Sequence, residues 1–155
     1  MKSLIIYHST YKKNTERIAK IFAKRLDCDL VDISKVSNID IDHYDLIGFG
    51  SGVYKESMSK SLYRLVEVLD LKDKNVFVFS TSGVGMKFYN KPLIRLLKSK
   101  GARVRGSFAC KGYFKASEFT NIKIFYILGR FSQGHPNQKD FQEAEKFIQA
   151  VINSI

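Results

Sequence analysis

Between an apolar run and the start of a helical pattern lies His8-Ser9-Thr10-Tyr11-Lys12-Lys13-Asn14-Thr15, a segment dense in hydroxyl, amide and ammonium groups. Ser9, Thr10 and Thr15 can donate from hydroxyls, Asn14 from its amide, and Lys13 adds a cation. Such a loop delivers its donors to a helix N-terminus. There the first backbone N–H groups lack an intrahelical acceptor and the helix dipole favours negative charge, a combination suited to a monophosphate. The segment is not a dinucleotide fingerprint, which needs Gly-x-Gly-x-x-Gly, nor a P-loop, which needs glycines and Gly-Lys-Ser/Thr. The plainer reading of the same residues is that Asn14 caps the helix.

The elements that must hold this loop alternate between two periodicities. Leu4-Ile5-Ile6-Tyr7 is a continuous apolar run, as a strand buried on both faces requires. Ile18, Ala19, Phe22, Ala23 and Leu26 recur at three and four, the stripe of an amphipathic helix from Thr15 to Leu26. Leu30 to Ile33, Leu46 to Gly50 and Val76 to Phe79 read as further strands, and Leu62, Leu65, Val66 and Leu69 mark a second helix. Pro92 fits a first helical turn, Leu93, Leu96 and Leu97 give that helix its stripe, and Gly101 stops it. Arg103 to Cys110 is a fifth, partly polar strand. Asn137 and Asp140 form a capping pair for a last helix with Phe141, Ala144, Phe147, Ile148 and Val151 as its apolar face. Lys111 to Gln133 is ambiguous, and Ile122 to Leu128 fits a strand or a short helix equally. With 155 residues and no linker or repeat, one domain over 1–155 is expected. Strands alternating with helices imply an α/β, doubly wound parallel sheet with helices on both faces. Ligands of such sheets sit beyond the carboxyl ends of the strands, which directs attention to the loops after the first, third, fourth and fifth.

The loops at those ends carry a resemblance. Ser9, Thr10, Asn14 and Thr15 are similar to the Ser/Thr-x-Thr-Gly-x-Thr phosphate loop of the flavodoxin family. Gly48-Phe49-Gly50-Ser51-Gly52-Val53-Tyr54, Lys60-Ser61-Leu62, Phe79-Ser80-Thr81-Ser82-Gly83, Cys110-Lys111-Gly112-Tyr113 and Gly134-His135-Pro136-Asn137 follow at fitting distances, as in a subgroup of small flavodoxin-like proteins. The resemblance implies a five-stranded sheet of order 2-1-3-4-5 and an FMN, its phosphate on Ser9 to Thr15 (Ser9, Thr10, Tyr11, Lys13, Asn14, Thr15) and its ring among the later loops. Two departures stand out: Lys13 replaces the usual glycine, and Tyr11-Lys12 stands where the subgroup often has histidines.

Each later loop has its own chemistry. In Ser51-Gly52-Val53-Tyr54, Gly52 lets backbone approach a flat ring and permits a peptide flip toward the flavin N5, while Tyr54 is placed to stack. The alternative is an ordinary glycine turn. Thr81, Ser82, Gly83 and Val84 can offer backbone N–H groups to the pyrimidine edge. Gly112 and Tyr113, with Phe114, can close over the ring or simply anchor an irregular segment.

Lys and Arg number 26 against 15 Asp and Glu, a net charge of +11. Such a field attracts anions. The basic residues are spread along the chain and not massed in a tail, so the plain reading is a solvated basic surface; as a partner, an acidic redox protein such as a ferredoxin or a flavoprotein reductase is expected and nucleic acid is not. Cys28 and Cys110 lack Cys-x-x-Cys spacing and read as reduced, largely buried thiols. His8, His43 and His135 do not cluster. No apolar run approaches the length of a membrane span, and a cytosolic location is expected. The first functional reading is an FMN electron carrier; the others are an FMN-dependent NAD(P)H:quinone-type reductase, and a flavin-free binding module with a basic surface.

Overall fold

The computed structural model describes residues 1–115 and 122–155. Five strands, β1 (Ser3–His8), β2 (Asp29–Asp32), β3 (Leu46–Tyr54), β5 (Asn75–Ser82) and β6 (Arg103–Lys111), form a parallel sheet in the order β2-β1-β3-β5-β6. Among the five long strands this is the expected order 2-1-3-4-5. The addition is β4 (Ser57–Met58), which pairs antiparallel with the end of β3. The helices are α1 (Asn14–Leu26), α2 (Lys60–Val68), α3 (Lys91–Ser99), α4 (Lys123–Ser132) and α5 (Gln138–Ile152), with a 3-10 turn at Lys87–Asn90.

Alternation along each strand sorts the core into two halves. Leu4 and Ile6 of β1, Ile47 and Phe49 of β3 and Val76 and Val78 of β5 pack against Leu62 and Val66 of α2 and Leu93 and Leu97 of α3. Ile5 and Tyr7, Leu46, Phe77, Phe79 and Phe108 face the other way, onto Ile18, Ala19 and Phe22 of α1 and Ala144, Ile148 and Val151 of α5. Phe22 is the hub of this second half, edge-on to Phe77, Phe79 and Phe108 at centroid distances of 5.4, 5.0 and 5.7 Å. β3 makes room for these rings with glycine. A Cβ at Gly48 would lie 2.4 Å from the Phe77 ring, and one at Gly50 2.1 Å from that of Phe79.

Several local readings are corrected. Ser51 to Tyr54 is not a loop: β3 runs on to Tyr54 and reverses at Lys55 and Glu56, with φ values of 47° and 65°. Positive φ at both central residues is the signature of a tight two-residue hairpin turn, and it directs the chain back into β4. Thr81 and Ser82 are the last residues of β5 and Lys111 the last of β6, so both strands are longer than their apolar runs. Their polar ends are held by ladder pairing to neighbours (Thr81 with Cys110 and Ser82 with Lys111). Ile122 to Leu128 is resolved in favour of helix: Ile122 is extended and precedes α4, which takes in the rest. The ambiguous stretch also includes 116–121, which lie outside the described residues. The capping pair is present: the Asn137 side chain accepts from the N–H groups of Lys139 and Asp140, and Asp140 accepts from the N–H of Asn137.

Candidate functional site

The carboxyl ends of β1, β3, β5 and β6 lie along one edge of the sheet, and the chain crosses there between neighbouring elements. β2 lies on one side of β1 and β3 on the other, and the connection through α1 runs on the opposite face from that through α2, so the topological switch point falls between β1 and β3.

The first loop opens α1. Lys12 and Lys13 both take left-handed backbone conformations, φ 53° and 55°, and Lys13 is the residue preceding the helix. The glycine expected at this point is therefore replaced without a change of backbone, at a cost of about 1 kcal/mol for a side chain there. The Lys13 ammonium lies 3.5 Å from Glu16, which also pairs with Lys20 at 2.8 Å. The Lys20 hydrogen bond, opposed by partial desolvation and helped by the field of both lysines, holds the Glu16 carboxyl below its ordinary range.

Asn14 does not cap α1, because it lies inside the first turn. Its side chain instead donates to the Tyr113 carbonyl at 2.9 Å, joining the first loop to the last. Thr15 is buried with its hydroxyl 2.8 Å from that of Thr81 at the end of β5. Thr10 donates from its backbone N–H (3.4 Å) and its hydroxyl (3.0 Å) to a single oxygen, the Tyr54 hydroxyl. Tyr11 accepts from the Lys115 N–H at 3.1 Å, and the Lys12 ammonium lies 5.4 and 5.9 Å from the ring centres of Tyr11 and Tyr113. Ser9 is buried.

On the β3 side, Ser51 is fully buried. Its hydroxyl donates to the Gly52 carbonyl at 2.6 Å and accepts from the Ser59 N–H at 2.9 Å, so it fastens the hairpin internally. Gly52 pairs with Thr81 in the parallel ladder. A flip of its peptide would disturb that pairing, and the glycine's evident use is a different one: a Cβ there would fall 2.9 Å from the Tyr54 hydroxyl. Val53 pairs with Met58, and Tyr54 with Ser57.

Gly83 and Val84 begin the loop after β5. The loop is turned back by the Ser82 hydroxyl, which accepts from the Gly85 N–H at 2.8 Å. Phe114 sits directly over Gly83, where a Cβ would come within 2.1 Å of its ring. Gly112 donates to the Ser82 carbonyl at 2.9 Å and lies against Asn14, leaving no room for a side chain. Tyr113 donates to the His135 carbonyl at 2.9 Å.

The residues chosen from sequence thus meet at one edge, tied by long-range bonds between loops. Sequence reasoning missed Lys115 on Tyr11, which are 104 positions apart and carry no shared pattern. Cys110 is buried on the α1 and α5 face, and burial, with Asp140 and Glu143 nearby, pushes its thiol well up. Among the described residues, no group of three or more His, Cys, Asp and Glu side chains is placed to hold a metal ion, and no helix is long and apolar enough to cross a membrane.

The family model described as "Flavodoxin domain" matches residues 4–118. An uncharacterized protein of Methanocaldococcus jannaschii is 39% identical over 156 residues, spanning 99% of this chain and 100% of that one. Among solved structures, a flavodoxin from the domain Archaea superposes with a TM-score of 0.70 at 16% identity, covering 99% of this chain and 98% of the other. Oxidised Flavodoxin 2 from Bacillus cereus gives 0.68 at 18%, with full coverage of both. A flavoprotein in complex with FMN from Lactobacillus acidophilus gives 0.56 at 22%, covering 68% of this chain and 91% of that one. The structural likenesses speak for the fold; it is the match of the domain model over most of the sequence that makes this chain a member of the flavodoxin family.

Proposed function

We propose that the protein binds FMN at the β1–β3 switch point and transfers electrons between protein partners. The observation that carries this reading is the convergence of the Thr10 N–H and hydroxyl on one oxygen at the mouth of α1, beside the first-turn N–H groups and two lysines. In the protein that oxygen belongs to Tyr54; the same donor set fits the oxygens of a phosphate monoester. When bound, FMN supplies the one- and two-electron chemistry, and the chain's own groups position and tune it.

The residues divide that work. Thr10, the backbone of Lys12 to Thr15 and the ammonium of Lys12 would hold the phosphate. Tyr54 must leave Thr10 for the phosphate to take its donors, and it is then free to lie against the ring. Gly52, Gly83 and Gly112 keep the edge free of Cβ atoms, and Phe114 and Tyr113 close it from the β6 side. Asn14 and Thr15 keep the first loop registered to Tyr113 and Thr81 and so set the distance between the two ends of the site.

The reading predicts that FMN binds at least about tenfold more tightly than riboflavin, since each hydrogen bond to a charged group contributes about 1.5–3 kcal/mol. Titration of both flavins into the apoprotein, followed by flavin fluorescence, measures the ratio. Equal affinities would remove the phosphate from Ser9 to Thr15.

A further inference from the structure

We propose that helix α4 is the docking face for an acidic electron-transfer protein, which would seat an apolar patch on Ile124, Ile127 and Phe131 and its carboxylates on the surrounding cations. The proposal rests on the electron-transfer reading above and names the surface through which that exchange takes place.

α4 leaves a run of large side chains in water. Its small residues face the protein: Gly129 and Ser132 are buried, and the Ser132 hydroxyl donates to the Gly129 carbonyl at 2.9 Å and accepts from the Phe114 N–H at 3.3 Å. Four of its large residues face water. Ile124, Ile127 and Phe131 are 61%, 56% and 66% exposed, and Tyr126 is 42% exposed. Spacings of three and four put Ile124, Ile127 and Phe131 on one stripe. A contiguous apolar stripe left in water marks an interaction site, whereas single exposed apolar residues do not. Met86 and Phe88, beyond the loop after β5, are also about half exposed.

Charge selects the occupant. α4 carries Lys123 and Arg130 and no acidic residue, on a chain of net charge +11. A second copy would bring like charge against like, whereas an acidic partner gains from the same field in both rate and orientation. Aromatic and aliphatic anchors accompanied by arginine are what protein interfaces favour. A helix lying in a lipid surface asks for a polar face rich in Lys and Arg; α4 offers only two cations, and its inner face is committed to the protein. Position completes the case. Through Phe114 on Ser132 and Tyr113 on the His135 carbonyl, the C-terminal end of α4 is bonded to the loop that closes the candidate cofactor edge. A protein resting on α4 therefore lies beside that edge.

The test uses a strongly acidic plant-type ferredoxin as probe. In 15N-labelled protein, with and without FMN, addition of the ferredoxin should shift or broaden the amides of 123–132. In stopped flow, Ile127→Ser/Phe131→Ser should lower the second-order rate of electron exchange at least about tenfold, the scale of losing one interface anchor. FMN affinity and melting temperature should be unchanged, since both side chains are exposed. The wild-type rate should fall steeply as salt rises. Unmoved α4 amides, or an unchanged rate in the double variant, would overturn the proposal. So would a doubled mass in light scattering that the double variant abolishes, which assigns the face to a second copy. So would co-sedimentation with phosphatidylglycerol vesicles that the double variant abolishes, which assigns it to lipid. If the protein takes up no FMN, the electron-transfer reading fails by itself, while the amide map without flavin still decides the face.

Discussion

Gly50 and Gly52 lie two residues apart on the same side of β3, and their neighbours make them different. A Cβ at Gly50 would land 2.1 Å from the Phe79 ring, which is fixed among Phe22 and Phe77; at Gly52 it would meet only the tip of the half-buried Tyr54 at 2.9 Å. Gly50→Ala should cost about 2–3 kcal/mol by overpacking, and Gly52→Ala less than about 1, with Tyr54 pushed from Thr10. Urea unfolding of both variants measures the difference, and equal costs would contradict the packing described. Lys13 poses the converse case, a side chain held at positive φ. Lys13→Gly should raise stability by about 0.5–1 kcal/mol, because the ion pair it forfeits is exposed and contributes little; a loss on thermal unfolding would show that the Glu16 contact outweighs the strain. Residue types do not disclose the bonds between these segments. Asn14 looks like a cap, and nothing local reveals that its partner is the Tyr113 carbonyl 99 positions away.

At the scale of elements, apolar runs located every long strand, and the helical stripes located α1, α2, α3 and α5. The runs fell short at the carboxyl ends, since ladder pairing carries β3 on through Ser51 and Gly52, β5 through Ser80 to Ser82, and β6 to Lys111. The hairpin between β3 and β4 escaped notice for a related reason: Lys55-Glu56 adopts a turn whose sequence signature is Asn-Gly. Lys55→Asn/Glu56→Gly should therefore stabilise the protein by about 0.5–1 kcal/mol and raise its melting temperature by about 2–4 °C. An unchanged or lowered melting temperature would mean that the side chains of Lys55 or Glu56 contribute more than the backbone costs. α4 was ambiguous because Ile122 to Leu128 is a short, nearly continuous apolar run, which fits a strand and a helix equally.

For the whole molecule, alternation of strand and helix was enough for the architecture, and right-handed crossovers left few ways to arrange it. Alkaline titration draws on groups throughout that architecture. Burial, helped by Asp29 and Asp27, pushes the Cys28 thiol up to about 11, and burial, with Glu16 and Asp32, pushes the Tyr7 hydroxyl up to about 12. Cys110 moves the same way. In each case the folded state keeps a proton that the unfolded chain gives up sooner. The stability is thus fully present below the ordinary values near 9 and 10, and is lost as pH rises through 9–11 for Cys28 and 10–12 for Tyr7. Melting temperature should hold to about pH 9 and then fall, less steeply in Cys28→Ala; a flat profile to pH 11 would contradict the burial of these groups.

The order of the strands leaves two borders. β2 ends the sheet on one side with Asp29 and Asp32, and β6 ends it on the other with Arg103 and Arg105. Unpaired strand borders invite strand addition from another chain, and borders of opposite sign would draw identical molecules together head to tail, a contact that repeats without closing. The side chains that carry these charges are already engaged at home. Asp29 accepts from Tyr44, Asp32 from Ser34, Arg103 pairs with Asp73, and Arg105 donates to Asn75 and to the Ser154 carbonyl. The bonds that steady the two borders thus occupy the charged groups through which copies would attract one another.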